Sequence, residues 1–210
     1  MTGEEIADLK PGDPITWINV PRGGYGFGMP VDAIVTKVCA KRVRVEVLLQ
    51  DGRRVERVVT PATLRPASSG HPVVLARARS LLARGRIALL RVELANWAFP
   101  PGDETTLQRA LIRLLSMESI QGAFGSVDSE VIAERGRYDI LLKDSMVAIV
   151  LELKVKGSAA EVERQAQRYA LTPSVDAVVV ITTSHRLGAQ IKSGDLGGKP
   201  FGVVVVRTSV

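Results

Sequence analysis

The chain has 210 residues, 46% of them apolar and 24% charged, which suits a globular protein with one large core or two modest ones. No apolar run reaches the roughly 18 to 20 residues needed to span a bilayer, and the opening MTGEEIADLKPGD has no basic segment followed by an apolar one. These features argue against a membrane partner and a secretory leader, so a cytoplasmic protein is expected.

Residues 1–66 alternate short β-type runs with turn chemistry: ITWINV, PRGGYGFG, VDAIVTKV, RVRVEVLLQ, an Asp51-Gly52 turn, RRVERVVT and PATLRP. Asp-Gly between two alternating runs is a hairpin signal. The tight spacing without helical period predicts a small five-stranded all-β barrel, similar in general pattern to SH3-like or KOW-like barrels. Cys39, the single cysteine, lies in an alternating apolar pattern with no partner for a disulfide, and is expected to be a buried small hydrophobe. Trp17 and Trp97 are assigned to cores. GGYGFG at 23–28 lacks the setting of a phosphate or dinucleotide loop. It reads as a barrel loop in which Arg22, Tyr25 and Phe27 either reach nucleic acid or pack across the barrel mouth.

Residues 67–102 read as a linker and basic connector. ASSGHP gives the turn, Pro72 suits a helix start, and a helix over 73–95 has Val74, Ala78, Leu81, Ala88, Val92 and Ala95 on its apolar stripe if Gly85 shares it. Gly85 weakens such a helix by about 1 kcal/mol, which leaves RIALLRVEL open as a separate strand. Arg77, Arg84 and Arg91 recur every seven residues as a solvated or a phosphate-contacting face. The net charge is +6. Residues 71–100 carry 5 basic and 1 acidic side chains, while 101–210 carry 13 of each, so the excess lies mainly in the connector.

In residues 103–210, Asp103 can cap a helix over 104–118 whose apolar side is Leu107, Leu111, Leu114 and Leu115. Strands are expected at SVDSEVIAE, RYDILL and MVAIVLELKV, then a helix over 158–171, a buried strand VDAVVVITT and a last strand FGVVVVRTSV. That order predicts an α/β unit with a mixed sheet flanked by helices. His71 in the linker and His185 at a strand end read as loop histidines, neither with a partner at metal-ligand spacing.

Glu152 and Lys154 are alternate residues of one strand and must share a face. A neighbouring strand would bring Asp139 beside them, placing two hard oxygen donors and one ammonium together, which suits metal-assisted phosphodiester hydrolysis. The competing reading is a Glu-Lys couple at a solvated strand end.

Asp139 with Glu152-Leu153-Lys154, and the flanking helices, resemble the PD-(D/E)XK nuclease superfamily over residues 103–185. The resemblance implies a restriction-endonuclease-like fold and a Mg²⁺-dependent deoxyribonuclease, with Mn²⁺ as a substitute. By the same resemblance Asp139, Glu152, the Leu153 carbonyl and Glu104 would hold metal, Lys154 would act on water or phosphate charge, and Gln165 and Tyr169 in a Q-x-x-x-Y spacing would support the site. Glu118, Glu130 and Glu134 compete with Glu104, and Tyr138 stands where the family carries proline. Arg77, Arg84, Arg91, Arg137, Lys156 and Tyr169 are the expected nucleic-acid contacts. The expected partners are DNA and, for cutting both strands, a homodimer or a partner subunit. The alternative is a non-catalytic nucleic-acid-binding or scaffolding module on the same fold.

Overall fold

The computed structural model describes residues 6, 8–20, 28–49 and 53–209. Arg22, Tyr25, Phe27 and the Asp51-Gly52 turn lie outside the described residues. Contacts divide the chain into two units, Met1–Ala78 and Arg79–Val210. No helix among the described residues is long and apolar enough to cross a membrane.

The first unit is built from β1 (Pro14–Asn19), β2 (Met29–Val38), β3 (Val43–Leu48), β4 (Arg54–Val59) and β5 (Leu64–Pro66), paired antiparallel in the order β4-β3-β2-β1-β5. Its alternation works as expected: Val43, Val45 and Val47 are buried while Arg44 between them is exposed, the period-2 pattern of a one-sided sheet. Ile15, Ala33, Val35, Val59 and Leu64 complete the core. Among the described residues no pairing joins β4 to β5, so the sheet is open where a closed barrel was expected.

Cys39 is exposed, contrary to the sequence expectation. The strand ends at Val38, and Cys39 begins a tight turn in which its N–H bonds to the Arg42 carbonyl, so strand alternation no longer applies. Trp17 is half-buried against the core. His71 is buried rather than in an open loop: its Nε2 lies 3.1 Å from the Ala33 carbonyl, and its Nδ1 accepts from Val73 N–H.

The helix expected over 73–95 is continuous as α1 (Pro72–Ala95), with no separate strand at RIALLRVEL. Its first turns fall in the first unit and its body in the second. The body enters the second unit's core through Ala83, Ile87, Leu90 and Leu94. The expected stripe is therefore corrected, since Leu81 is 72% exposed and Val92 is also exposed. With apolar residues on two sides of the helix, spacing alone could not choose the buried one.

The second unit continues with β6 (Ala98–Phe99), α2 (Glu104–Leu115), α3 (Glu118–Phe124), β7 (Ser126–Ala133), β8 (Gly136–Lys143), β9 (Ala148–Lys154), α4 (Ala159–Ala170) and β10 (Ala177–Thr182). It ends with α5 (His185–Gln190), β11 (Gly194–Leu196), β12 (Lys199–Val205) and β13 (Arg207–Thr208). Asp103 caps α2 by accepting from Thr106 N–H, as the sequence suggested, but the helix stops at Leu115 and a separate α3 follows. His185 opens a short helix capped by Ser184 instead of lying in a loop.

The six-stranded sheet has the order β11-β12-β10-β9-β8-β7. The strands β9, β10 and β12 are parallel, while β7, β8 and β11 pair antiparallel. One face, with Ile140, Ile149, Leu151, Leu153, Val179 and Ile181, packs under α1, α2 and α3. The other, with Val150, Val178, Val180 and Phe201, packs under α4 and α5. The unit is thus α/β, helices on both faces of a mixed sheet, and β9 is central and buried along almost its whole length.

Gly125 ends α3 at φ 79°, in the left-handed region, and a Cβ there would meet the Lys143 carbonyl oxygen. Gly125→Ala should cost about 2 kcal/mol or more, combining backbone strain with that clash. Denaturant unfolding checks this, and an unchanged midpoint would refute it.

Candidate active site

Buried apolar neighbours at 149–151 and 153 make β9 a strand, and that burial creates an electrostatic problem at Glu152. Its side chain is 0% exposed, and neither carboxylate oxygen has an aligned hydrogen bond. The nearest counter-charge is Lys154 Nζ, 3.1 Å from Oε1 in a charge contact. An isolated buried carboxylate is costly, so Glu152 is held by the fold against its own solvation. Burial first, and then the Asp139 carboxylate, push its pKa up to about 7.

Asp139 comes from the adjacent β8. The antiparallel ladder ends at the Ile140–Leu151 pair, and Asp139 lies just beyond it, beside the end of β9 that carries Glu152 and Leu153. Asp139 Oδ2 accepts from Leu153 N–H at 2.7 Å, tying the carboxylate across to β9. Its pKa is raised, chiefly by burial, against the lowering effect of that hydrogen bond and of Lys154. Tyr138 and Ile140, two residues apart, pack into opposite cores, so strict alternation fails at Asp139.

Lys154 sits where β9 ends and α2 begins to cover it. Its Nζ also lies 3.6 Å from Glu104 Oε2, while Glu104 Oε1 accepts from Val155 N–H. Burial would lower the Lys154 pKa, but Glu152, Glu104 and Asp139 together outweigh it and hold the ammonium above its usual value. The structure therefore brings Glu104, Asp139, Glu152 and Lys154 together, with Leu153 between the last two.

Behind them, Tyr169 on α4 donates its hydroxyl to the Arg137 carbonyl and accepts from Gln165 Nε2, each at 2.7 Å. Its ring meets Tyr138 edge-on at 4.8 Å. At 1% exposure Tyr169 braces the β8 backbone, and its hydroxyl is taken up inside the protein where a nucleic-acid contact was expected.

Two residues the sequence reading passed over or ranked lower belong to this cluster. Gln108 of α2 donates from one amide nitrogen to the Asp139 carbonyl at 2.9 Å and to Glu130 Oε1 at 2.7 Å. Glu130 has φ 53° and sits where the β7–β8 ladder lacks the pair facing Asp139. It pairs at 2.7 Å with Arg137. A non-glycine residue in the left-handed region is a strain found often at functional sites. Of the rival acids, Glu118 opens α3 and Glu134 is exposed beyond β7.

The expected DNA-contacting arginines of α1 are occupied. Arg77 donates to the Gly12 carbonyl, Arg84 pairs with Asp195, and Arg91 donates to Ser193 Oγ. Lys156 is exposed beside Glu104 in a recess that also includes Asp103 and Thr105. Trp97, assigned to a core from sequence, is 40% exposed.

A hard divalent cation suits this donor set: carboxylate oxygens, a neighbouring backbone carbonyl, and a buried Glu152 carboxylate with no aligned donor. Among the described residues, however, no group of three or more His, Cys, Asp and Glu side chains is placed to hold a metal ion. Lys154 instead supplies the positive charge between Glu152 and Glu104.

No family model matches the chain. Protein KleD of Escherichia coli is 43% identical to it over 53 residues, which make up 24% of this chain and 80% of that protein. Through that stretch the chain belongs to the family of KleD.

Proposed function

We propose that residues 79–210 are a Mg²⁺-dependent deoxyribonuclease of the PD-(D/E)XK kind, with a restriction-endonuclease-like fold, and that the first unit is an SH3-like module that positions nucleic acid or a partner. The observation that carries this reading is the fully buried Glu152 carboxylate, without an aligned donor, set against Asp139 and Lys154. A fold keeps so costly a group where its charge is used. Asp139, Glu152 and the Leu153 carbonyl would hold the cation, with Glu104 in support. Bound there, Mg²⁺ would supply an acidified water and offset phosphate charge. Lys154 orients that water or balances charge on the phosphorus, and Glu104 keeps the ammonium in place. Leu153 N–H fixes the Asp139 carboxylate, while Gln165 and Tyr169 fix the strand behind it.

Incubation with duplex DNA, single-stranded DNA and RNA, each with Mg²⁺, Mn²⁺ or EDTA, tests this reading. Cleavage of DNA is expected with either metal and none with EDTA. Absence of cleavage together with absence of metal binding by calorimetry would overturn it.

One observation favours a second reading, a non-catalytic binding module. Lys154 already pairs with both Glu152 and Glu104, so part of the carboxylate charge is offset without a cation. Such a module would bind DNA with strong salt dependence and indifference to EDTA.

A further inference from the structure

On the second unit, a groove of about 620 Å³ is lined by Trp97, Phe99, Pro100, Arg109, Arg113 and Met117, with three smaller neighbours and Leu114. Its apolar wall is uncovered: Trp97 and Met117 are both well exposed. Its other wall is cationic. Arg109 and Arg113 are exposed on α2, no acidic residue lines the groove, and among the described residues neither guanidinium has a carboxylate within ion-pair distance. An occupant that satisfies both walls is anionic and has flat apolar faces.

The groove adjoins the candidate active site around one end of α2. Glu104 and Thr105 line the recess that holds Lys156, while Thr106, the next residue, already lines the groove. At about 1.5 Å per helical residue, Arg113 lies roughly 14 Å along the axis from Glu104, a span of about four nucleotides at duplex spacing. An extended strand leaving the carboxylates past Lys156 and over the first turn of α2 would bring its phosphates to Arg109 and Arg113. Its bases would then lie beside Trp97 and Phe99.

We propose that this groove takes an unpaired stretch of the nucleic-acid substrate, with a base stacked on Trp97 and phosphates on Arg109 and Arg113. The inference rests on the nuclease reading and narrows its substrate class to DNA bearing a single-stranded flank, such as an overhang or flap. Inside a duplex the bases are stacked on one another, so except at its terminal pairs a blunt duplex presents no face to Trp97 without unstacking.

The test uses the full chain without metal, in EDTA, so that binding is read apart from cleavage. Labelled oligothymidine of about 12 nucleotides should bind in an anisotropy titration and quench Trp97 fluorescence in a Trp17→Phe background. Trp97→Ala and Arg113→Ala should each weaken that binding by about tenfold, while a blunt duplex loses little by either change. Equal effects on duplex and single strand would overturn the proposal, as would an acidic peptide quenching Trp97 as well as the oligonucleotide does. Quenching by a protein that cuts nothing would keep the groove and remove the nuclease reading. Cleavage with no effect of Trp97→Ala on single-strand binding would do the reverse.

Discussion

Glu152→Gln is expected to stabilise the protein above neutral pH and at the same time remove the metal-dependent cleavage proposed for it. The Glu152 carboxyl has a folded-state pKa of about 7 against an ordinary 4.5, so the folded protein holds this proton more tightly than the unfolded chain does. Its contribution to stability is fully present below pH 4.5 and is lost as the pH rises through 7. Converted directly, that shift is worth at most about 3 kcal/mol, and coupling to Asp139 makes this an upper bound. Glutamine has nearly the same shape and does not titrate. Parent and variant should therefore unfold alike near pH 4.5 and diverge by pH 8, where the variant's Tm should be several degrees higher. Cleavage should fall at least about 100-fold, because a neutral amide is a poor ligand for a hard divalent cation. Thermal melts at both pH values and a cleavage assay check this. Parallel pH dependence in the two proteins would sink the stability half, and retained cleavage the catalytic half.

Lys154→Met should lose both stability and activity. The Lys154 side chain is largely buried, and it is the counter-charge that draws the Glu152 carboxyl down against burial and Asp139. Breaking a buried pair from one side leaves an uncompensated charge and costs about 3–5 kcal/mol when the carboxylate is ionised. The loss should be greatest at pH 8 and smaller near pH 5, where Glu152 is protonated in the fold. If Lys154 also acts on water or phosphate charge, cleavage should fall about 10²–10³-fold. The double variant Glu152→Gln/Lys154→Met separates these effects: stability should return close to the parent's while cleavage does not. A Lys154→Met protein that cuts at the parent rate would remove Lys154 from the mechanism.

The pairing of Glu152 with Lys154 was legible because a strand has period 2, and any strand through LELK puts both on one face. Their burial was legible from the apolar run around them. Asp139 was a weaker inference, since its place depends on a hairpin register that spacing alone does not set; in the structure it lies just past the end of the β8–β9 ladder, tied to Leu153 N–H. Gln108 gave no signal at all. Its role depends on how α2 lies across the sheet, and glutamine on a helix is ordinary. Glu130 stood among the rival acids, but its left-handed backbone and its bond to Gln108 exist only in the folded ladder.

The errors share a cause. Trp97 and Cys39 were assigned inside because residues of their types are usually buried, yet each lies just past the end of a regular element, where periodicity carries no information. The contacts of the arginines at 77, 84 and 91, read as a solvated or phosphate-contacting face, were not legible either. Their partners, Gly12, Asp195 and Ser193, are at least 65 residues away in the chain, and no local pattern reveals such contacts.

Local chemistry by itself determined the order of the longer helices and strands, the capped start of α2, the central position of β9 and the shared face of Glu152 and Lys154. Each follows from backbone periodicity and side-chain propensity acting within about ten residues. Tertiary structure decided the rest: which side of α1 is buried, the open first sheet, the seating of Glu104 on Lys154 and the exposed groove beside Trp97. Those features are set by contacts between segments far apart in the chain, where packing and desolvation select among arrangements that local propensity leaves equal.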